Sequence, residues 1–247
     1  SLSEPGTIVA ARVGNAGGVV IGYGNGEMFL ASDLPAILPY ARRVVFLEDG
    51  EVAAVRPGAV SYSKNGRRVE KEPQEVPYDP VSAAKGSFKH FMQKEIAEQP
   101  EAILDTIRGR AIFPEARVEL DEIGLTREQI RGISRVMLVG MGTSLHAAMV
   151  GRHYIERIAG IPAEVDNASE LRYRQPIIGP DTLLVSVTQS GETVDTLAAM
   201  EEARAKGCPQ VTVCNVIGSE AARVADGVLY TRCGLEIGVA STKTYVA

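Results

Sequence analysis

The chain has 247 residues, 45% of them hydrophobic and 23% charged, with a net charge of −5 at pH 7. That suffices for a sizeable core in one large domain or two ordinary ones, and the interspersed acids and bases argue against a nucleic-acid surface. No apolar run is long enough to cross a bilayer, and neither a secretory leader nor a disulfide or zinc pattern is readable in the irregularly spaced Cys208, Cys214 and Cys233, so a reducing, cytoplasmic setting without membrane or nucleic-acid partners is the expectation.

Residues 6–78 read as short strands joined by turns. "TIVAARVG", "GVVIGYG", "RVVFLED", "EVAAVRPG" and "AVSYSKNG" carry β-branched residues and end in glycine-containing turns, which predicts antiparallel β. Hairpins are expected around Asp49-Gly50 in "VVFLEDGEVAAV" and around Asn65-Gly66 in "SYSKNGRRVE", because such pairs suit tight primed turns. "LPAILPYARR", ahead of both turns, predicts a short helix or turn. "EKEPQEVPYDPVSAAKG" is polar, rich in proline and aperiodic, as a linker is. An amphipathic helix interrupted at Pro100 follows in "SFKHFMQKEIAEQPEAILDTIRG".

From about residue 134 strands and helices alternate. "SRVMLVGMG" predicts a buried strand and "TSLHAAMVGRHYIERIAG" a helix ending before Gly160. "PAEVDNA", "DTLLVSVTQ", "PQVTVCNV" and "GVLYTRC" are further strands, separated by a helical turn in "SELRYRQ", a helix in "GETVDTLAAMEEARAKG" and a short helix in "SEAARVA". Strands apolar throughout, alternating with helices, imply an α/β fold with a parallel sheet covered on both faces. Such sheets bind ligands beyond the carboxyl ends of their strands.

Two strand-to-helix turns are oxygen-rich: Gly140-Met141-Gly142-Thr143-Ser144 and Thr188-Gln189-Ser190-Gly191-Glu192-Thr193. Each is explained either by helix capping or by a ligand with oxygens of its own, and two neighbouring turns with a surplus of hydroxyls favour a polyol or phosphate. A dinucleotide fingerprint is disfavoured because Leu145 stands where the third glycine belongs. Ser1 lacks a nearby base for a nucleophilic role. His146 lies beside Thr143 and Ser144 within reach of a ligand, although a solvated or packed histidine is the simpler reading. His90 and His153 lack metal-ligand spacing, and the three cysteines read as core residues. "GLEIGVASTKT" predicts a loop running into another helix N-terminus near the same sheet edge, where Lys243 can meet an anion.

"VTQSGETVDTLAAMEEARAKG" and "GMGTSLHAAMVGRHYIERIAGIPAE" together resemble the SIS (sugar isomerase) family, phosphosugar-binding domains with a five-stranded parallel sheet. "FKHFMQKEIAEQP", "ASELRYR" and "GLEIGVASTKT" narrow the resemblance to the glutamine-dependent members that make glucosamine 6-phosphate from fructose 6-phosphate, and it covers essentially the whole chain. It implies that residues 1–79 are the C-terminal part of an N-terminal-nucleophile-type glutaminase domain, 80–110 a linker and connecting helix, and 111–247 most of the first of two SIS subdomains. It implies Gly142, Thr143, Ser144, Thr188, Gln189, Ser190, Gly191 and Thr193 as sugar-phosphate contacts, with Val239 and Ser241 as a further stretch near the sugar. Relatives often carry Cys-Gly-Thr-Ser where Met141-Gly142-Thr143-Ser144 stands, and Ser where Thr188 stands. The implied partners are fructose 6-phosphate and glucosamine 6-phosphate, glutamine through glutaminase residues ahead of Ser1, and a second subunit paired through SIS domains, with no metal or organic cofactor. The family's catalytic cysteine, acid–base glutamate and histidine, and imine-forming lysine have no counterpart here. No catalytic residue is therefore expected within 1–247, which opens without Met and reads as part of a longer chain. Two other functions suit the SIS motifs alone: a non-catalytic phosphosugar sensor, and an isomerase of another sugar phosphate.

Overall fold

The structure is a computed structural model that describes residues 2, 4–14, 18–32, 34, 36–76 and 85–247. The expected domain boundary at 79/80, residues 77–84 of the expected linker, and Ser1 lie outside the described residues. The chain divides into two units, residues 1–87 and 88–247.

The first unit holds eight described strands: β1 (Ile8–Ala11), β2 (Val20–Tyr23), β3 (Met28–Ala31), β4 (Arg43–Phe46), β5 (Glu51–Arg56), β6 (Ala59–Lys64), β7 (Arg67–Val69) and β8 (Gln74–Glu75). They form two antiparallel sheets, ordered β1-β5-β6-β7 and β3-β2-β4-β8. Ile21 and Val45 from one sheet meet Ala53, Val55 and Tyr62 from the other in a shared core. Within that core the hydroxyls of Tyr23 and Tyr62 hydrogen-bond at 2.6 Å. Burial and the neighbouring Tyr23 push the Tyr62 phenol far above its ordinary titration range.

The Asn65-Gly66 hairpin forms as expected: Lys64 pairs with Arg67, and both turn residues have positive φ, 51° and 78°. The Asp49-Gly50 hairpin does not. β4 and β5 lie in different sheets, because the turn bonds to the end of β1 instead of closing on itself. Gly50 N donates to the Arg12 carbonyl at 2.9 Å, and the Arg12 guanidinium donates to the Leu47 carbonyl at 3.0 Å. Two apolar runs around a tight turn look the same in sequence whether they pair or face each other across a core. Residues 36–40 form the expected turn, with Ile37 and Leu38 buried. Strand β3 and the two residues of β8 within the expected linker were not anticipated.

The second unit begins with α1 (Phe91–Ala97) and α2 (Gln99–Ile107). Pro100 sits in the first turn of α2, where its missing N–H costs nothing, so it starts a helix at the expected interruption. The two-residue strands β9 (Ala111–Ile112) and β10 (Arg117–Val118) follow, then α3 (Arg127–Gly132), entered through a capping box of Thr126 and Gln129. Arg110 grips both carboxylate oxygens of Glu122 at 3.0 Å and donates to the Tyr230 carbonyl at 2.7 Å. This guanidinium holds the Glu122 carboxyl below its usual range.

The remaining elements are β11 (Arg135–Gly140), α4 (Gly142–Tyr154), β12 (Ala163–Asn167), α5 (Ala168–Leu171), β13 (Thr182–Val187), α6 (Val194–Ala205), β14 (Gln210–Cys214), α7 (Glu220–Val224), β15 (Gly227–Tyr230) and α8 (Lys243–Val246). The strands make one parallel sheet in the order β12-β11-β13-β14-β15. The chain thus takes the α/β fold expected from its alternating apolar runs, preceded by antiparallel strands. Met137, Val139 and Leu184 face α5, α6 and α7, while Val136 and Leu138 pack with Ala148 of α4 on the opposite face. α4 carries the chain from β11 to β12 on one side, and α6 carries it from β13 to β14 on the other. The loops after β11 and β13 therefore diverge at a switch point in strand order, where sheets of this kind open a crevice. No helix among the described residues is long and apolar enough to cross a membrane.

Candidate functional site

Register places the two oxygen-rich turns side by side. β11 and β13 pair in parallel, Val139 opposite Ser186, so residues 141–144 and 188–193 leave the same sheet edge from adjacent strands. Glycine is required where the two turns pack: a Cβ on Gly140 would lie 3.0 Å from the Leu145 nitrogen and from the Val187 carbonyl oxygen.

Side-chain capping does not explain the hydroxyls. The residue at the N-cap of α4 is Met141, whose side chain has no oxygen to offer, and Thr193 at the N-cap of α6 makes no cap bond. The hydroxyls of the second turn instead fold it upon itself. Thr188 Oγ1 accepts from Gly191 N at 3.2 Å and Ser190 Oγ from Glu192 N at 3.1 Å. A hydroxyl whose lone pair is engaged by the main chain still has its O–H proton to give. Gly191 runs at φ +69° so that the turn can pass Ser219, and its carbonyl accepts from Ala221 N at 3.0 Å. The Glu192 carboxylate accepts from Glu220 N at 2.8 Å, fastening the turn to α7.

A cavity of about 500 Å³ opens on the α4 face of the sheet. Its floor is apolar, formed by Leu138, Val185, Val187 and Val213, and α4 and α8 form its walls. Oxygen-bearing side chains gather among its lining: Thr143, Ser144, Thr188, Gln189 and Ser241, joined by Thr231, Thr244, Tyr154 and Tyr245. Five of the ten expected contact residues thus meet around one space. Ser190, Gly191 and Thr193 belong to the same turn and Gly142 to the start of α4, but they do not line the cavity. Val239 is fully exposed and does not line it. None of the lining side chains is ionised, so an anion there would rely on hydroxyl donors and the positive end of the α4 dipole.

The other candidates separate clearly. His90, His146 and His153 are exposed, and His146 does not line the cavity. Lys243, read as able to meet an anion, is 4% exposed and donates to Glu98 at 2.7 Å. Ser241 is oriented by Glu236, to which its hydroxyl donates at 2.7 Å, and the same carboxylate accepts from Thr242 N and Lys243 N at the start of α8. Asn215, absent from the sequence-based candidates, joins the loops. Its N–H donates to the Gln189 carbonyl at 3.1 Å, its Oδ1 accepts from Thr231 Oγ1 at 3.0 Å and Cys233 N at 2.9 Å, and its Nδ2 donates to the Gly234 carbonyl at 2.6 Å. The signal was available, since Asn215 is the first residue beyond β14 at the binding edge of the sheet.

All three cysteines are buried and reduced. Burial pushes the Cys214 thiol up to about 11, opposed only in part by the Ser219 hydroxyl beside it. At pH 8 roughly a thousandth of Cys214 would be thiolate, against about a quarter of a free cysteine. A thiol-alkylating reagent is therefore expected to leave Cys214 unmodified at pH 8 until denaturant is added, as read by peptide mass spectrometry. Rapid native-state labelling would contradict this packing.

Residues 129–247 match the family model described as the SIS domain. The chain is 49% identical over 243 residues to the glutamine–fructose-6-phosphate aminotransferase (isomerizing) of Symbiobacterium thermophilum and 48% identical to that of Caldanaerobacter subterraneus, covering 98% of this chain in both cases. It spans 40% of the length of these curated relatives. Among solved structures, the C-terminal domain of glucosamine-fructose-6-phosphate aminotransferase from Francisella tularensis superimposes with a TM-score of 0.61 at 37% identity, over 66% of this chain and 45% of that one. Residues 129–247 are thus similar to the SIS domain, and the chain is similar along 98% of its length to the glutamine–fructose-6-phosphate aminotransferases.

Proposed function

We propose that this chain forms the sugar-phosphate-holding part of a glutamine–fructose-6-phosphate aminotransferase. In this reading residues 1–79 are the closing part of a glutaminase domain, 80–110 the connection, and 111–247 the first SIS subdomain. The substrate is fructose 6-phosphate, the nitrogen comes from glutamine, and subunits pair through their SIS domains. The observation that carries it is the convergence of Thr143, Ser144, Thr188, Gln189 and Ser241 from three loops on one cavity. A phosphosugar is all oxygen acceptors and hydroxyls, and neutral donors beside a helix N-terminus suit both. The chain contributes binding, and the groups that open and aminate the sugar belong to the rest of the enzyme.

Ser144→Ala in the complete protein tests the reading, because Ser144 lines the cavity. Loss of one hydroxyl contact costs about 1 kcal/mol, so the KM for fructose 6-phosphate is expected to rise about fivefold with kcat little changed. An unchanged KM would count against the cavity as the sugar site. Turnover of fructose 6-phosphate and glutamine by residues 1–247 alone would overturn the division of labour.

A further inference from the structure

Glu95 is a carboxylate buried to 2% exposure on α1, a helix that precedes the sheet and carries none of the expected contact residues. Burying a carboxylate costs several kcal/mol unless hydrogen bonds replace its water. Among the described residues no lysine or arginine pairs with it. Its partners are two main-chain N–H groups at the far end of the unit: Ile237 N at 2.7 Å and Gly238 N at 3.0 Å, both on Oε1, with a second bond from Gly238 N to Oε2 at 3.3 Å.

Gly238 is shaped around this carboxylate. A Cβ there would lie 2.5 Å from Glu95 Oε2, although the backbone is not left-handed at this position. From the other side Glu236, 5% exposed, accepts from the Ser241 hydroxyl and from the first N–H groups of α8. The loop between is thus held by two buried carboxylates, and the connecting helices supply one of them. Glu98, one turn beyond Glu95, fastens the other end of the loop through Lys243.

We propose that Glu95 is a positioning residue of the sugar-phosphate site: its buried carboxylate fixes the 237–240 loop so that Ser241 faces the cavity. The inference rests on the function proposed above. It assigns the connecting segment a part in binding that its distance in sequence from every cavity-lining residue conceals. A surface ion pair would tie two helices together without choosing a loop conformation. A carboxylate that accepts from successive N–H groups selects one.

The test uses the complete protein with Glu95→Ala, Glu95→Gln and Gly238→Ala, each alone and combined with Ser241→Ala. Steady-state KM for fructose 6-phosphate, kcat and thermal midpoint are measured for all. Glu95→Ala and Gly238→Ala are expected to raise KM about tenfold while kcat changes less than about twofold. Glu95→Gln retains an acceptor oxygen and is expected to recover most of the loss. In the Ser241→Ala background the effect of Glu95→Ala is expected to shrink below about threefold, because residues acting through one contact are non-additive. An unchanged KM in Glu95→Ala, or the same factor in both backgrounds, overturns the proposal. Should Glu95→Ala fail to fold, Gly238→Ala decides by the same criteria. If Ser144→Ala and Ser241→Ala themselves leave KM unchanged, the sugar site is wrong; if they raise it and the Glu95 and Gly238 variants do not, only the positioning role fails.

Discussion

Gly191→Ala is expected to destabilise the second unit by about 3 kcal/mol and to abolish measurable sugar binding at ordinary concentrations. Two costs add. A non-glycine residue held at φ +69° carries about 1–2 kcal/mol of backbone strain. The new methyl would lie 2.5 Å from Ser219 Cβ and closer still to its hydroxyl, and such overlap in a packed site costs about 1–3 kcal/mol. Ser219 is fully buried behind the turn and has no room to retreat. The turn must move instead, and it carries Thr188 and Gln189 at the cavity. Pairing Gly191→Ala with Ser219→Gly separates the two costs, since the double variant removes the overlap and keeps the strain. Denaturant midpoints check this, and a single variant within about 1 kcal/mol of the parent would refute the close packing of turn and helix.

Asn215→Ala is expected to cost about 3 kcal/mol and to weaken sugar binding as well. Asn215 is 3% exposed, and removing its amide strands the Cys233 N–H and the Gly234 carbonyl and deprives the Thr231 hydroxyl of its acceptor. Each unsatisfied buried group costs about 1–3 kcal/mol, and the alanine cavity admits at most one water to replace them. The backbone bond from Asn215 N to the Gln189 carbonyl survives. Damage should therefore concentrate in residues 231–241 and spare the 188–193 turn. Hydrogen exchange resolves the two: faster exchange in both segments alike would contradict the local account.

The sheet was readable because its strands are apolar on both faces and its helices are punctuated by Gly160 and Gly207, both at positive φ as helix ends require. The two turns were readable because glycines and hydroxyls cluster there in sequence. What was not readable depends on partners distant in the chain. Apolar periodicity of 44–47 and 51–55 reports that both runs are buried, and says nothing about whether they pair; Arg12 decides that. Lys243 looked like a free cation because Glu98, its partner, is 145 residues away. Glu95 looked like one more charge on an amphipathic helix, since nothing local shows that its face turns toward Ile237. Capping was one of two readings of the second turn, and neither hydroxyl serves it: Thr193 makes no cap bond, and Ser190 accepts from Glu192 N before the helix begins.

The contrast between the two units also bears on how each acquires its structure. In the first, Arg56 pairs with Ala59 and Lys64 with Arg67, so strands meet across a few residues almost as soon as they exist. In the second, among the described residues, only the two-residue strands β9 and β10 meet so locally; in the parallel sheet Arg135 pairs with Thr182, and even β13 and β14 meet only across an intervening helix. Loop-closure entropy must be met there before any pairing returns energy. The cavity draws on Leu138 and Thr143 near one end of the sheet's span and on Ser241 beyond the other, so no piece lacking either end assembles it. A chain emerging from the ribosome would set its hairpins early, and the crevice would be among the last features to close.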